Sequence, residues 1–79
     1  MNLYLLTQTE VEGHDTYDSI VVCAETPHKA KLITPDGEPL RKMYYADWAS
    51  TVKNIKAKLL GKAVPSVKEG VVLSSYNAG

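Results

Sequence analysis

The segment YDSIVVCAETPHKAKLI, residues 17–33, reads as a strand that turns through one short hinge into a helix. Ile20, Val21, Val22 and Cys23 form a continuous apolar run with β-branched side chains, the pattern of a central strand covered on at least one face. The strand is therefore expected over Ser19 to Ala24. Thr26 follows as an N-cap whose hydroxyl can accept from a backbone N–H one turn on. Pro27 then takes the first helical position, where its missing N–H would have been orphaned anyway. Ala30 and Ile33 supply an apolar stripe with Leu32 beside it, while Lys29 and Lys31 face water. Thr34-Pro35-Asp36-Gly37 ends the helix, since the residue before a proline is pushed out of the helical region and Asp-Gly is a turn pair.

Working outward, Asn2 to Thr7 reads as a first strand, with Leu3 and Leu5 on one face and Tyr4 and Leu6 on the other. Gln8 to Thr16 is polar and contains Gly13, so it is a turn into the second strand. A connection this short cannot carry a parallel crossover, and the two strands must pair antiparallel. Downstream, Glu38 to Thr51 has no clean period. An irregular connection or a short helical turn near Asp47 is expected there, with Trp48 tucked over one edge of the core. Val52 to Gly61 alternates as a third strand, Ile55, Ala57 and Leu59 on one side and Asn54, Lys56 and Lys58 on the other. Gly61 to Gly70 carries Pro65 and is a loop, Val71 to Tyr76 is a fourth strand, and Asn77-Ala78-Gly79 is a short tail.

The fold class that results is α+β: one ββαββ domain over residues 1–79, a four-stranded, mostly antiparallel sheet with one helix packed on one face. Leu3, Leu5, Ile20, Val22, Ile55, Leu59 and Val71 or Val72 are expected in the core, with Ala30 and Ile33 closing the helix side. Lys56 and Lys58 are expected on the face away from the helix.

At 79 residues the chain is near the size where a single core is only just sufficient. It has no Phe, so the core must be aliphatic, with Tyr and Trp at its margins where their polar atoms reach a partner or water. The formal net charge is zero but unevenly placed: residues 1–40 carry two Lys/Arg and seven Asp/Glu, residues 41–79 seven and two. The halves either neutralise each other across strands or form a bipolar surface with an acidic loop at one end and a basic face elsewhere. The lone Cys23 can form no internal disulfide, and its apolar setting suits an inert buried thiol. The start MNLYLLTQTE lacks a basic region and a long apolar run, and no stretch reaches the roughly 20 apolar residues that cross a bilayer. A cytoplasmic protein with no membrane partner is expected.

Three phrases in this order, YDSIVVCAET leading into a helix, a lone Trp48, and LLGKA followed by EGVVLSSYNAG, resemble a group of short uncharacterised bacteriophage and prophage proteins with no established activity. The resemblance covers most of the chain, but its phrases are structural and specify no chemistry. It implies a phage gene product in the host cytoplasm, with no catalytic or binding residue carried over, and a role among small accessory proteins aimed at host machinery, such as an inhibitor in host takeover or anti-defence. The helix PHKAKLI departs from the group, where acidic residues are more usual after such a cap.

His14 with Asp15, Asp18, Glu10 and Glu12 matches no calcium-loop spacing and is expected to be a solvated acidic loop, not a metal site. Cys23 and His28 are close in sequence, but strand burial and helix exposure point them apart, against a nucleophile pair. The chain has no Gly-rich phosphate loop, zinc spacing or nucleophile elbow, so neither enzyme nor cofactor is expected. Arg41, Lys42, Lys53, Lys56, Lys58, Lys62 and Lys68 all fall in the second half. With tyrosines on an open sheet they raise single-stranded nucleic-acid binding as an alternative, although no RNA-recognition signature accompanies them. Tyr44, Tyr45 and Trp48 have the composition of a protein-interface hot spot, or else cap a core that lacks Phe. The expected function is a non-catalytic protein-binding module that occupies a surface of a host protein or of another copy of itself. Its expected surface is Tyr44, Tyr45, Trp48, Lys56 and Lys58. The acidic loop Glu10, Glu12, Asp15 and Asp18, which could imitate a nucleic-acid backbone to a basic partner, is the second.

Overall fold

A computed structural model describes residues 1–41 and 46–77. Its elements are β1 (Asn2–Gln8), β2 (Thr16–Ala24), α1 (Pro27–Lys31), a single 3₁₀ turn (Val52–Asn54), β3 (Ile55–Lys62) and β4 (Gly70–Asn77). The four strands form one antiparallel sheet in the order β3-β1-β2-β4, with the short helix packed on it. This is the expected ββαββ arrangement. β3 and β4 are the two edges, so the connection between them crosses the end of the sheet.

The strand-to-helix segment is built as its sequence requires. Thr26 has extended backbone angles, and its Oγ1 accepts from the Lys29 N–H at 3.1 Å. Pro27 opens the helix and Ala30 is its buried residue. The chain leaves the helix at Leu32 and turns through Thr34–Gly37, closed by the Gly37 N–H donating to the Thr34 carbonyl at 3.2 Å, with Gly37 at φ 80°. A side chain at that φ would be strained, which is why glycine ends the turn.

Register assigns the faces, because directly opposed residues share a side. Tyr4 opposes Val22, Leu6 opposes Ile20, and on the other flank Leu6 opposes Ala57 and Gln8 opposes Ile55. Tyr4, Leu6, Ile20, Val22, Ala24 and Ile55 are buried beneath Ala30, Trp48 and Ala49, with Tyr17, Ile33, Leu40 and Ala57 packed at the margin. Ile20, Val22, Ile55 and Ala30 are thus in the core as expected.

Several core expectations are corrected. β1 uses Tyr4 and Leu6, not Leu3 and Leu5, which lie half-buried on the opposite face. Both parities of NLYLLT are apolar, so alternation within that strand cannot choose a face; its pairing with β2 does. Leu59 opposes Tyr4 yet is 60% exposed, because β3 is an edge strand whose register slips at this point, Leu3 opposing Gly61 and Tyr4 opposing Leu59. Val71 and Val72 are exposed on the other edge. Val52 belongs to the 3₁₀ turn, whose N-cap Thr51 accepts from the Lys53 N–H at 3.5 Å, so the third strand begins at Ile55.

Candidate partner-binding surface

One face of the sheet is covered and the other is largely open. On the open face Leu3, Leu5 and Thr7 of β1 oppose Cys23, Val21 and Ser19 of β2, and Val21 opposes Leu73 of β4. At the β3 edge of the same face, Leu5 opposes Lys58 and Thr7 opposes Lys56. The outcome is an aliphatic band, Leu5–Val21–Leu73, bordered by two exposed lysines. The 63–69 connection closes one end of this face. There the Cys23 thiol lies 3.9 Å from the Val67 carbonyl oxygen and is fully buried. Cys23 therefore sits across the sheet from the helix that carries exposed His28, and the two are not brought together.

The cross-strand neutralisation of the two charged halves is not what the register gives. Lys56, Lys58 and Lys62 oppose Thr7, Leu5 and Asn2, all neutral. The ion pairs among the described residues are local, Lys29–Glu25 at 3.1 Å and Arg41–Glu38 at 3.6 Å, both exposed. The lysines of β3 therefore have no acidic residue directly opposite them on β1.

The acidic loop is largely committed to structure. The Gln8 side-chain amide organises it, its Oε1 accepting from the Glu10 and Val11 N–H groups and its Nε2 donating to the carbonyls of Val11 and Tyr17. Glu10 reaches across to the 3₁₀ turn, accepting from the Ser50 N–H at 2.9 Å and Asn54 Nδ2 at 2.8 Å. Asp15 accepts from the Tyr76 hydroxyl at 3.0 Å, and Asp18 from Asn77 Nδ2 at 2.7 Å. The loop so ties β1 and β2 to both the 3₁₀ turn and β4. Glu12 and His14 are exposed. Among the described residues, no group of three or more His, Cys, Asp or Glu is placed to hold a metal ion.

Tyr76 shows the chemistry of this end of the sheet. Its hydrogen bond to the Asp15 carboxylate, aided by slight desolvation and by the negative charges of Asp15 and Asp47, raises its pKa above the usual tyrosine value. Its ring packs on that of Tyr17 with centroids 4.7 Å apart and planes tilted by 49°. Asp15 itself adopts φ 58°, the left-handed region that aspartate tolerates better than most residues.

Trp48 is only 5% exposed and lies on the core, so it is the cap of a core without Phe and cannot serve as an exposed anchor in this arrangement. Its indole N–H is buried with no hydrogen-bond partner among the described residues. It borders a cavity of about 20 Å³ whose lining includes Thr34, Asp36, Glu38 and Arg41. Tyr44 and Tyr45, the other aromatic candidates, lie outside the described residues, as does Lys42. Lys56 and Lys58 are on the open face as expected. The signal that sequence reading missed is the second apolar set of β1, Leu3 and Leu5, which forms the open face's own band.

The fold and this surface define a small α+β domain with one sheet face left largely open by the described residues. No family model, curated protein or solved structure matches the chain. No helix among the described residues is long and apolar enough to cross a membrane.

Proposed function

We propose that the chain is a non-catalytic protein-binding module whose open sheet face lies against a surface of another protein. The observation that supports this is the band Leu5–Val21–Leu73 bordered by Lys56 and Lys58 on the face opposite the helix. An aliphatic centre gains free energy by leaving water, and a charged border guides approach and orientation toward an acidic rim. The phage-like phrases support a host protein as the target, with the module acting as an inhibitor by occupancy. Single-stranded nucleic acid fits this face less well. Tyr4 and Tyr17 pack with the core on the covered side, and Tyr76 stacks on Tyr17. The described open-face positions therefore offer lysines without a stacking platform.

The test is capture from a lysate of the host by the tagged chain, read by mass spectrometry, alongside Leu5→Gln and the double variant Lys56→Glu/Lys58→Glu. A protein retained by the parent and lost by both variants, with each variant still folded by circular dichroism, is the expected result. Identical protein sets on all three baits would overturn the assignment of the open face.

A further inference from the structure

The connection from β3 to β4 leaves one edge strand and enters the other in the same way. Tyr4 opposes Leu59 and Leu3 opposes Gly61, so Leu60 is an extra residue in β3; Val21 opposes Leu73 and Val22 opposes Val71, so Val72 is an extra residue in β4. Beyond each of these bulges, on the side of the connection, stands a glycine at positive φ, Gly61 at 151° and Gly70 at 133°. Cross-strand pairing joins the two in one row over the whole sheet, Gly61–Leu3–Cys23–Gly70. Opposed residues share a side, so this row lies on the open face, next to the row of Leu5, Val21 and Leu73. With no side chain at either end of the row, residues 63–69 are free to lie back over its middle. The Cys23 thiol is accordingly 0% exposed, its sulfur 3.9 Å from the Val67 carbonyl oxygen.

This cover is lightly held. Only Ala63 and Val67 of residues 63–69 are half-buried; the others are exposed, Val64 by 62%. Besides the thiol contact, its tie to the sheet among the described residues is the Ala63 N–H donating to the Met1 carbonyl at 3.0 Å. The Val67 N–H donates to the Val64 carbonyl at 3.0 Å, a turn internal to the segment. A segment with so few buried contacts opens at a lower free energy than the sheet beneath it. We infer that residues 63–69 are a flap, hinged at Gly61 and Gly70, that swings off the Leu3–Cys23 row while the four strands stay paired. Glycine at both hinges lets the backbone change φ without a Cβ clash. Between them, the fixed φ of Pro65 and the Val64–Val67 turn keep the flap together as it moves. Opening adds Leu3 and Cys23 to Leu5, Val21 and Leu73, so the aliphatic band has a short covered form and a long open one. The hinge motion belongs to the chain alone and holds whether or not the open face takes a partner.

Cys23 is the chain's one cysteine, so its labelling reports this motion directly. The purified chain is treated with an aromatic disulfide reagent at urea concentrations below the unfolding transition; the Cys23 thiolate attacks the reagent's S–S bond and releases a coloured thiolate. Labelling should be slower than in the urea-unfolded chain, yet about tenfold or more faster than the global unfolding equilibrium permits, and only weakly dependent on urea. At Gly70 the closed form strains any side chain, and no atom lies within 4 Å of an added Cβ to confuse strain with a clash. Gly70→Ala should therefore speed labelling about tenfold. Gly37→Ala imposes a similar strain at φ 80°, which opening of the flap does not relieve. It should lower the urea midpoint and leave labelling below the transition unchanged. Val67→Ala trims the flap's own half-buried side chain and should also speed labelling; it carries the decision if Gly70→Ala fails to fold. Three results would overturn the inference: parent labelling as fast as in the unfolded chain, labelling with the urea dependence of global unfolding, or equal acceleration by Gly37→Ala and Gly70→Ala. The capture experiment on the open face scores none of these, so the flap and the partner surface fail separately.

Discussion

Asp15 and Tyr76 are 61 residues apart in sequence and 3.0 Å apart in space, and their hydrogen bond fixes the end of β4. The bond favours the protonated phenol, because losing that proton would leave a phenolate facing a carboxylate. A raised folded-state value means the contribution is fully present below the pKa of an unfolded tyrosine and is lost as pH rises through the folded value. Asp15→Asn keeps a residue that tolerates positive φ but removes the charge. Its expected effect is a lower Tyr76 pKa, read as the difference in phenolate absorbance between each protein and its Tyr76→Phe counterpart; an unmoved titration would show that Asp15 is not the cause. The same scale exposes what the sequence could not decide. Leu6→Ala, on the covered face, should cost about 2–5 kcal/mol. Leu5→Ala, half-buried on the open face, should cost distinctly less, measured by urea unfolding of both. Nothing in NLYLLT distinguishes the two leucines. Only the pairing of Leu6 with Ile20 and Ala57 does.

At the scale of elements, the strand-cap-helix passage was legible because its signals are local: an apolar run, a capping hydroxyl, a proline, then a Pro-Asp-Gly turn. Thr26→Ala should therefore destabilise by about 0.5–2 kcal/mol through loss of the bond to the Lys29 N–H. A helix of five residues has few other bonds to compensate. A thermal melt indistinguishable from the parent's would show that the cap contributes nothing. The segment before β3 was not legible, since what places it is contact from elsewhere in the chain. Glu10 holds Ser50 and Asn54, the Tyr17 N–H donates to the Asp47 carbonyl at 2.9 Å, and Trp48 closes the core. None of these leaves a period in the local sequence. Since the Trp48 N–H makes no hydrogen bond among the described residues, its ring matters more than its polar atom. Trp48→Ala should cost about 3–5 kcal/mol, and Trp48→Phe should recover most of that loss in the same denaturation assay. Equal losses would mean that the indole nitrogen has a partner.

For the whole molecule, the central fact is that one sheet face carries the core while Leu59, Leu60, Val71, Val72 and Leu73 remain exposed. A charge count over the sequence suggested neutralisation between halves, and register shows why it fails: the β3 lysines oppose neutral residues. Those lysines are available to a partner, and the two classes of partner make opposite demands on them. A single-stranded nucleic acid would use Lys56 and Lys58 against phosphates, and each contact would add roughly 0.7 to the slope of log affinity against log salt. Stacking, worth about 1–3 kcal/mol per base, would need aromatic rings on the same face, but Tyr4 and Tyr17 pack on the other side. Binding of single strands should accordingly be electrostatic alone and unmeasurable at physiological salt, by anisotropy of a labelled oligonucleotide. A protein partner would instead be held by the aliphatic band. Lys56→Glu/Lys58→Glu should then slow association by an amount that shrinks as salt rises, while Leu5→Gln should speed dissociation with little salt dependence. Micromolar single-strand affinity at physiological salt, abolished by the lysine reversals and indifferent to Leu5→Gln, would reverse the assignment and make the open face a nucleic-acid surface.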